Sequence, residues 1–142
     1  MMRLSNLADY AVVAMVALAR SDVRMSAGRL AADTGIPTPT AAKLTVLLTK
    51  SGLLDATRGA HGGVSLARSA AGIGLVEIVE AVDGPIALTT CLHDGADDCV
   101  IGAACQVRPH WPVINRKVRA ALSNVTLADL AHPASAEMKE LA

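Results

Sequence analysis

Residues 26–66 constrain the fold more than any other stretch, because two helix-length segments with a tight turn between them run straight into two short extended runs around a glycine-rich tip. In "SAGRLAADTG", Ser26 can cap a helix N-terminus and Gly35 can end it, with Leu30 and Ala31 turned inward. "IPTPTAAKLTVLLTKSG" restarts a helix near Thr38, whose hydroxyl is expected to cap it, with Pro39 suited to the first helical position and Gly52 as the stop. "LLDATRGAHGGVSLAR" follows, and its extended runs Leu53–Thr57 and Val64–Ala67 flank "RGAHGG", which predicts a hairpin. Upstream, Leu7, Ala11, Ala14, Met15 and Leu18 recur at helical spacing, while Val12, Val13 and Val16 fill other faces, so this helix is buried on more than one side. Three helices and a hairpin in this order predict a mainly α winged helix-turn-helix with a small two-stranded wing.

That architecture places particular side chains where nucleic acid would lie. Thr38, Pro39, Thr40 and Lys43 occupy the early turns of the second helix of the pair, within reach of phosphates and base edges. Arg58, Gly59, His61 and Gly62 form the tip, whose glycines permit close approach to a DNA backbone. Charge agrees with this placement. Formal net charge is +0, yet residues 1–70 hold eight Lys/Arg against four Asp, and residues 71–142 hold five against nine Asp/Glu. The first half therefore faces a polyanion. "GAHGG" is not a nucleotide-binding loop, since it lacks the Lys-Ser/Thr ending and does not open a helix after a strand. A winged helix used only for protein contacts remains the alternative, and the basic face weighs against it.

The second half has a different character. "GIGLVEIVEAVDGP" carries Leu75, Ile78, Val79 and Val82 at helical spacing and stops at Gly84-Pro85, predicting a short amphipathic helix packed on the winged unit. Beyond Pro109 and Pro112, Ile114, Val118, Ala121, Leu122 and Val125 form one apolar stripe, with Asn115, Arg116, Lys117 and Arg119 on the other face. A unit this small has little left to cover that stripe, so it is expected to be a homodimerisation helix, with packing inside its own chain as the alternative, and a two-fold dimer would read a palindromic operator on double-stranded DNA. "TLADLA" predicts a short closing helix. The expected divisions are 1–84 for the DNA-binding unit, 85–108 for a cysteine loop, 109–131 for the dimerisation region and 132–142 for a flexible tail.

All three cysteines, Cys91, Cys99 and Cys105, fall in that loop at the spacing C-x7-C-x5-C. The longest apolar run, "AVVAMVALA", is far short of the roughly 20 residues of a membrane span, and nothing resembles a signal peptide. The expected location is cytoplasmic, where thiols stay reduced and a structural disulfide is disfavoured. Three thiolates in one flexible loop suit an iron–sulfur cluster, a zinc ion or redox chemistry. Gaps of seven and five depart from the close pairs of structural zinc sites. No serine–histidine–acid order, dinucleotide fingerprint or paired acids accompany them, so an enzyme is not expected.

"MRLSNLADYAVVAMVALA", "IPTPTAAKL", "GLLDATRGAHGGVSLAR", the cysteine loop and "VINRKVRAALSNVTLADL" together resemble the bacterial IscR/NsrR-type (Rrf-two) regulators over residues 2 to about 131. The wing, three cysteines and "INR" helix are most similar to the branch that regulates the SUF iron–sulfur assembly genes. The resemblance implies a dimeric transcriptional repressor carrying a [2Fe-2S] or [4Fe-4S] cluster on Cys91, Cys99 and Cys105. In IscR-type members a histidine three residues after the last cysteine completes the ligand set, and here that position is Arg108. Some nitric-oxide-sensing members use an aspartate near the start of the first helix of the partner subunit; Asp9 matches it and is preferred, with His93 and His110 as weaker alternatives.

Overall fold

The first helix begins where a serine can satisfy its open end. Ser5 Oγ accepts the Ala8 N–H at 3.0 Å, and helix α1 runs Asn6–Ala19. Ser26 does the same for α2, Ala27–Thr34, accepting from Arg29 N at 3.1 Å, and Gly35 closes that helix in the left-handed conformation at φ 79°. These coordinates come from a computed structural model that describes residues 2–92 and 99–132.

Helix α3, Thr38–Lys50, corrects one expectation: its N-cap is Pro37, and no side chain caps it. Thr38 and Pro39 are its first two residues. The reason is that Pro37 already supplies the first carbonyl, accepting from Ala41 N at 2.9 Å, while Pro39 has no N–H to satisfy. The Thr38 hydroxyl is therefore not consumed by the helix end.

Strands β1, Leu54–Thr57, and β2, Gly63–Leu66, pair antiparallel with Leu54 opposite Leu66 and Thr57 opposite Gly63. The expected runs differ from these by one residue at three of their four ends, although Leu53 extends the pairing by accepting from Ala67 N at 3.1 Å. Met25 adds a stub of a third strand, exchanging hydrogen bonds of 2.9 and 3.0 Å with Val64. The wing base is thus tied to the residue just before the α2 cap.

Met15, Leu30, Leu44, Leu48, Ile73 and Ile78 form the centre of the core, each worth about 1.5–3 kcal/mol on burial. The alanines of α1, Ala8, Ala11 and Ala14, are fully buried, and their small side chains let α4, Leu75–Asp83, pack closely on that helix. Arg68 pairs with Glu77, which also accepts the Gly74 N–H at 2.8 Å at the start of α4.

Helix α5, Trp111–Ser123, is different, because none of its residues is buried. It is fastened to the body by polar side chains. Arg119 makes a two-pronged contact to Glu80 on α4, both distances 2.9 Å, and Asn115 binds the backbone at Ile86 and Leu88. Helix α6, Leu127–Ala131, then returns to the core: Leu127 is fully buried, and its N–H donates to the Ile73 carbonyl at 2.8 Å. Thr126 and Asp129 cap it reciprocally at 3.2 and 2.9 Å. The expected closing helix is present, and residues 133–142 of the expected tail lie outside the described residues.

Candidate nucleic-acid interface and cysteine segment

One face of α3 is open. Thr38, Pro39 and Lys43 are exposed and Thr40 is half-buried, while Ala41, Leu44 and Leu48 face the core. The spacing of the exposed positions extends this face through Ala42, Val46 and Lys50. Val46 is 65% exposed, a branched apolar side chain between Lys43 and Lys50 on that face, and sequence reasoning missed it. The signal was present, since Val46 lies three residues after Lys43 and outside the repeat of the buried leucines.

At the wing tip Arg58, Gly59, Ala60 and His61 are exposed, and Gly62 N donates to Gly59 O at 3.0 Å to close the turn. Gly62 permits this closure, because a Cβ there would lie 2.2 Å from the Thr57 carbonyl oxygen. The fate of the other cations sharpens the picture. Arg20 donates to the Ala131 carbonyl, Arg24 to that of Asp55, Arg29 pairs with Asp33, and Arg68 with Glu77. Among the described residues Lys43, Lys50 and Arg58 have no such partner. Arg3, ahead of α1, is likewise unpaired among the described residues, so three of the four cations of this half that its own structure does not engage lie on α3 and the wing.

The cysteine segment joins α4 to α5. Cys91, Cys99 and Cys105 are half-buried and none is in a disulfide. Thr89 Oγ1 lies 3.0 Å from Cys91 Sγ, and the Cys99 carbonyl accepts from Gly102 N at 2.8 Å. Arg108, half-buried, stands against the same turn: a Cβ at Gly102 would lie 3.6 Å from both Arg108 Nη1 and Cys99 Cβ. Among the described residues no group of three or more Cys, His, Asp or Glu side chains converges to hold a metal ion. Asp9 is exposed in the first turn of α1, where Ser5 and not Asp9 supplies the cap. His110 is exposed at the start of α5, and His93 lies outside the described residues.

The dimer stripe expected on α5 divides in two. Val118 and Leu122 are half-buried over an open groove of about 570 Å³ that Met2, Leu4, Val79 and Ile86 also line. Ile114 and Ala121 are exposed, and half-buried Val125 accepts from Leu75 N at 2.9 Å. No helix among the described residues is long and apolar enough to cross a membrane.

Three helices, a wing and an open basic face define a winged helix-turn-helix transcriptional regulator. The chain belongs to the Rrf2 family, described as "Iron-dependent Transcriptional regulator", whose pattern matches residues 4–133. The HTH-type transcriptional regulator IscR of Yersinia enterocolitica is 32% identical over 131 residues, which cover 91% of this chain and 79% of that protein. Among solved structures, CymR, the global cysteine regulator of B. subtilis, superposes with a TM-score of 0.70 at 26% identity, covering 92% of this chain and 97% of that one. IscR of T. potens gives a TM-score of 0.66 at 26% identity over 97% and 96% of the two chains. These relatives are transcriptional regulators, and the expectation that the chain is not an enzyme agrees with them.

Proposed function

We propose that this protein is a homodimeric repressor that binds a palindromic operator and carries an iron–sulfur cluster on Cys91, Cys99 and Cys105, through which it controls iron–sulfur assembly genes of the SUF or ISC type. The observation that carries the reading is the position of the three thiols: one segment holds them all, and it connects the wing-bearing unit to the outlying helix α5. As a donor set they fit, since three soft thiolates are what an iron–sulfur cluster takes from a protein and neither a disulfide nor a buried core consumes them. Such a cluster, when bound, supplies a redox- and iron-sensitive state that the polypeptide lacks. Asp9 of a partner subunit is the preferred fourth ligand, and its exposure on the first turn of α1 leaves it accessible to a second chain.

On the DNA side, Thr38, Pro39, Thr40 and Lys43 meet the major groove, with Val46 placed for a thymine methyl. Arg58, Gly59, His61 and Gly62 follow the neighbouring backbone or minor groove. A second reading, an iron-, redox- or nitric-oxide-responsive regulator of other genes, draws on the iron-dependent description of the family.

The test is anaerobic purification followed by titration of a promoter fragment with cluster-loaded and cluster-free protein. Brown protein whose two forms differ in affinity by roughly 1–3 kcal/mol is expected. Colourless protein with stoichiometric zinc, or equal affinities of the two forms, overturns the sensor.

A further inference from the structure

Between α4 and the first cysteine, the chain is held by side chains rather than by secondary structure. The Ile86 N–H donates to Glu80 Oε1 at 3.2 Å, and the Ile86 carbonyl accepts from Asn115 Nδ2 at 2.8 Å. The Leu88 N–H donates to Asn115 Oδ1 at 3.0 Å. Three backbone groups in three residues are thus satisfied by two helices. The Asn115 carboxamide presents to residues 86–88 the donor and acceptor that a neighbouring strand would offer, and its orientation is fixed by its partners, since an N–H must face the oxygen and a carbonyl the nitrogen. Glu80 is itself gripped by Arg119, one helical turn beyond Asn115, so α4, α5 and this limb meet at one place.

The limb leads directly to the thiols. Thr89 follows Leu88, its carbonyl accepts from Leu92 N at 3.1 Å, and its hydroxyl lies 3.0 Å from Cys91 Sγ. From the Asn115 carboxamide to the Cys91 sulfur the path is one hydrogen bond to Leu88, the peptide link to Thr89 and one hydrogen bond from Thr89 to the sulfur. Helix α5 buries no residue fully, so beside the partial packing of Val118 and Leu122 these polar contacts position it against the winged unit.

We infer that Asn115 is the positioning residue that couples Cys91 to helix α5, so that a change in how Cys91 is held moves the helix and, with it, the spacing of two recognition helices. This rests on the cluster-sensing reading above. Asn115 touches neither cluster nor DNA in this role; it acts through the 86–88 backbone. Alanine removes both hydrogen bonds, whereas aspartate keeps the acceptor for Leu88 and loses the donor to Ile86.

The experiment compares wild type, Asn115→Ala and Asn115→Asp in two measurements: promoter-fragment affinity with and without the cluster, and amide hydrogen exchange of cluster-free protein. Both variants are expected to load the cluster with wild-type absorbance. The ratio of the two affinities, roughly 5–150-fold for linked sites, should contract towards one in Asn115→Ala and partly in Asn115→Asp. Exchange at the Leu88 amide should rise about tenfold in Asn115→Ala and change little in Asn115→Asp. A wild-type ratio in Asn115→Ala overturns the coupling, as does unchanged exchange at residues 86–92. Loss of cluster loading in both variants also overturns it, by making Asn115 a requirement of the site. If the wild-type ratio is itself one, the sensor reading falls, and the exchange arm still decides whether Asn115 holds the limb.

Discussion

The Thr89 hydroxyl lies 3.0 Å from the Cys91 sulfur, the only side-chain hydrogen bond to any of the three thiols among the described residues. A thiolate bound to iron can only accept, so in a loaded protein the hydroxyl must donate. A donor on a ligand sulfur raises a cluster's reduction potential. Thr89→Val should therefore lower the midpoint potential and Thr89→Ser should keep it near wild type, measured by anaerobic spectroelectrochemistry. A Thr89→Val potential equal to wild type would make the contact incidental.

Replacing Gly62 with alanine puts a Cβ against the Thr57 carbonyl and 2.8 Å from the Arg58 carbonyl carbon, so the tip must open. The strain should cost about 1–3 kcal/mol. Circular dichroism should show intact helices while operator affinity falls, and retained affinity would remove the wing from the interface.

Lys43→Ala and Arg58→Ala each delete a cation that no carboxylate engages among the described residues. Where the lost contact is to phosphate, the slope of log K against log salt should shrink by about one unit, with affinity reduced across sequences. Gel retardation over a salt series reads this, with cluster absorbance as the control. Two silent variants would exclude the α3–wing face.

Ile114 offers a cleaner probe of assembly than Leu122, which already packs partly over the groove of its own chain. Ile114 is 39% exposed, so an aspartate there leaves the single chain intact and puts an unpaired charge into any interface built on α5. Sedimentation should find monomers. Persistent dimers would move the interface elsewhere.

Acid should loosen the α4–α5 junction. The Arg119 hydrogen bonds, followed by that of the Ile86 N–H, hold the Glu80 carboxyl below the usual carboxylate range. For Glu77 the Gly74 N–H acts first and Arg68 second, in the same direction. A folded value below the unfolded one means stability that is present above the ordinary glutamate value, about 4.3, and lost as pH falls through the lowered one. Melting temperature should hold from pH 8 to about 5 and then decline, and more shallowly in E80Q. An E80Q profile parallel to wild type would show that Glu80 carries none of this dependence.

What could be read from the sequence depended on local signals. Ser26 marks a helix start through its hydroxyl, Gly35, Gly52 and Gly84 mark helix ends through a backbone at positive φ, and the winged architecture follows from their order. The α3 start was misplaced by one residue because Thr38 offers a hydroxyl, while the actual cap, Pro37, acts through its carbonyl alone. The Asn115 and Arg119 contacts had no periodic signature. They join residues 27–39 positions apart, and a polar residue on the outer face of an amphipathic helix looks solvated until the partner segment is placed. The division of the α5 stripe depends likewise on where residues 84–88 fold.

The Met25–Val64 pairing bears on the thermodynamics of association. Because it stitches the wing base to the start of α2, against which α3 packs, a duplex bound as proposed would meet α3 and the wing already in fixed relative orientation. On the proposed interface, ordering on binding would then fall on a few rotamer-rich side chains such as Lys43, Lys50 and Arg58, at about 0.5–1.5 kcal/mol each. Cutting that stitch would leave every contact available and still weaken binding, as the freedom of a loosened hairpin was surrendered at each encounter.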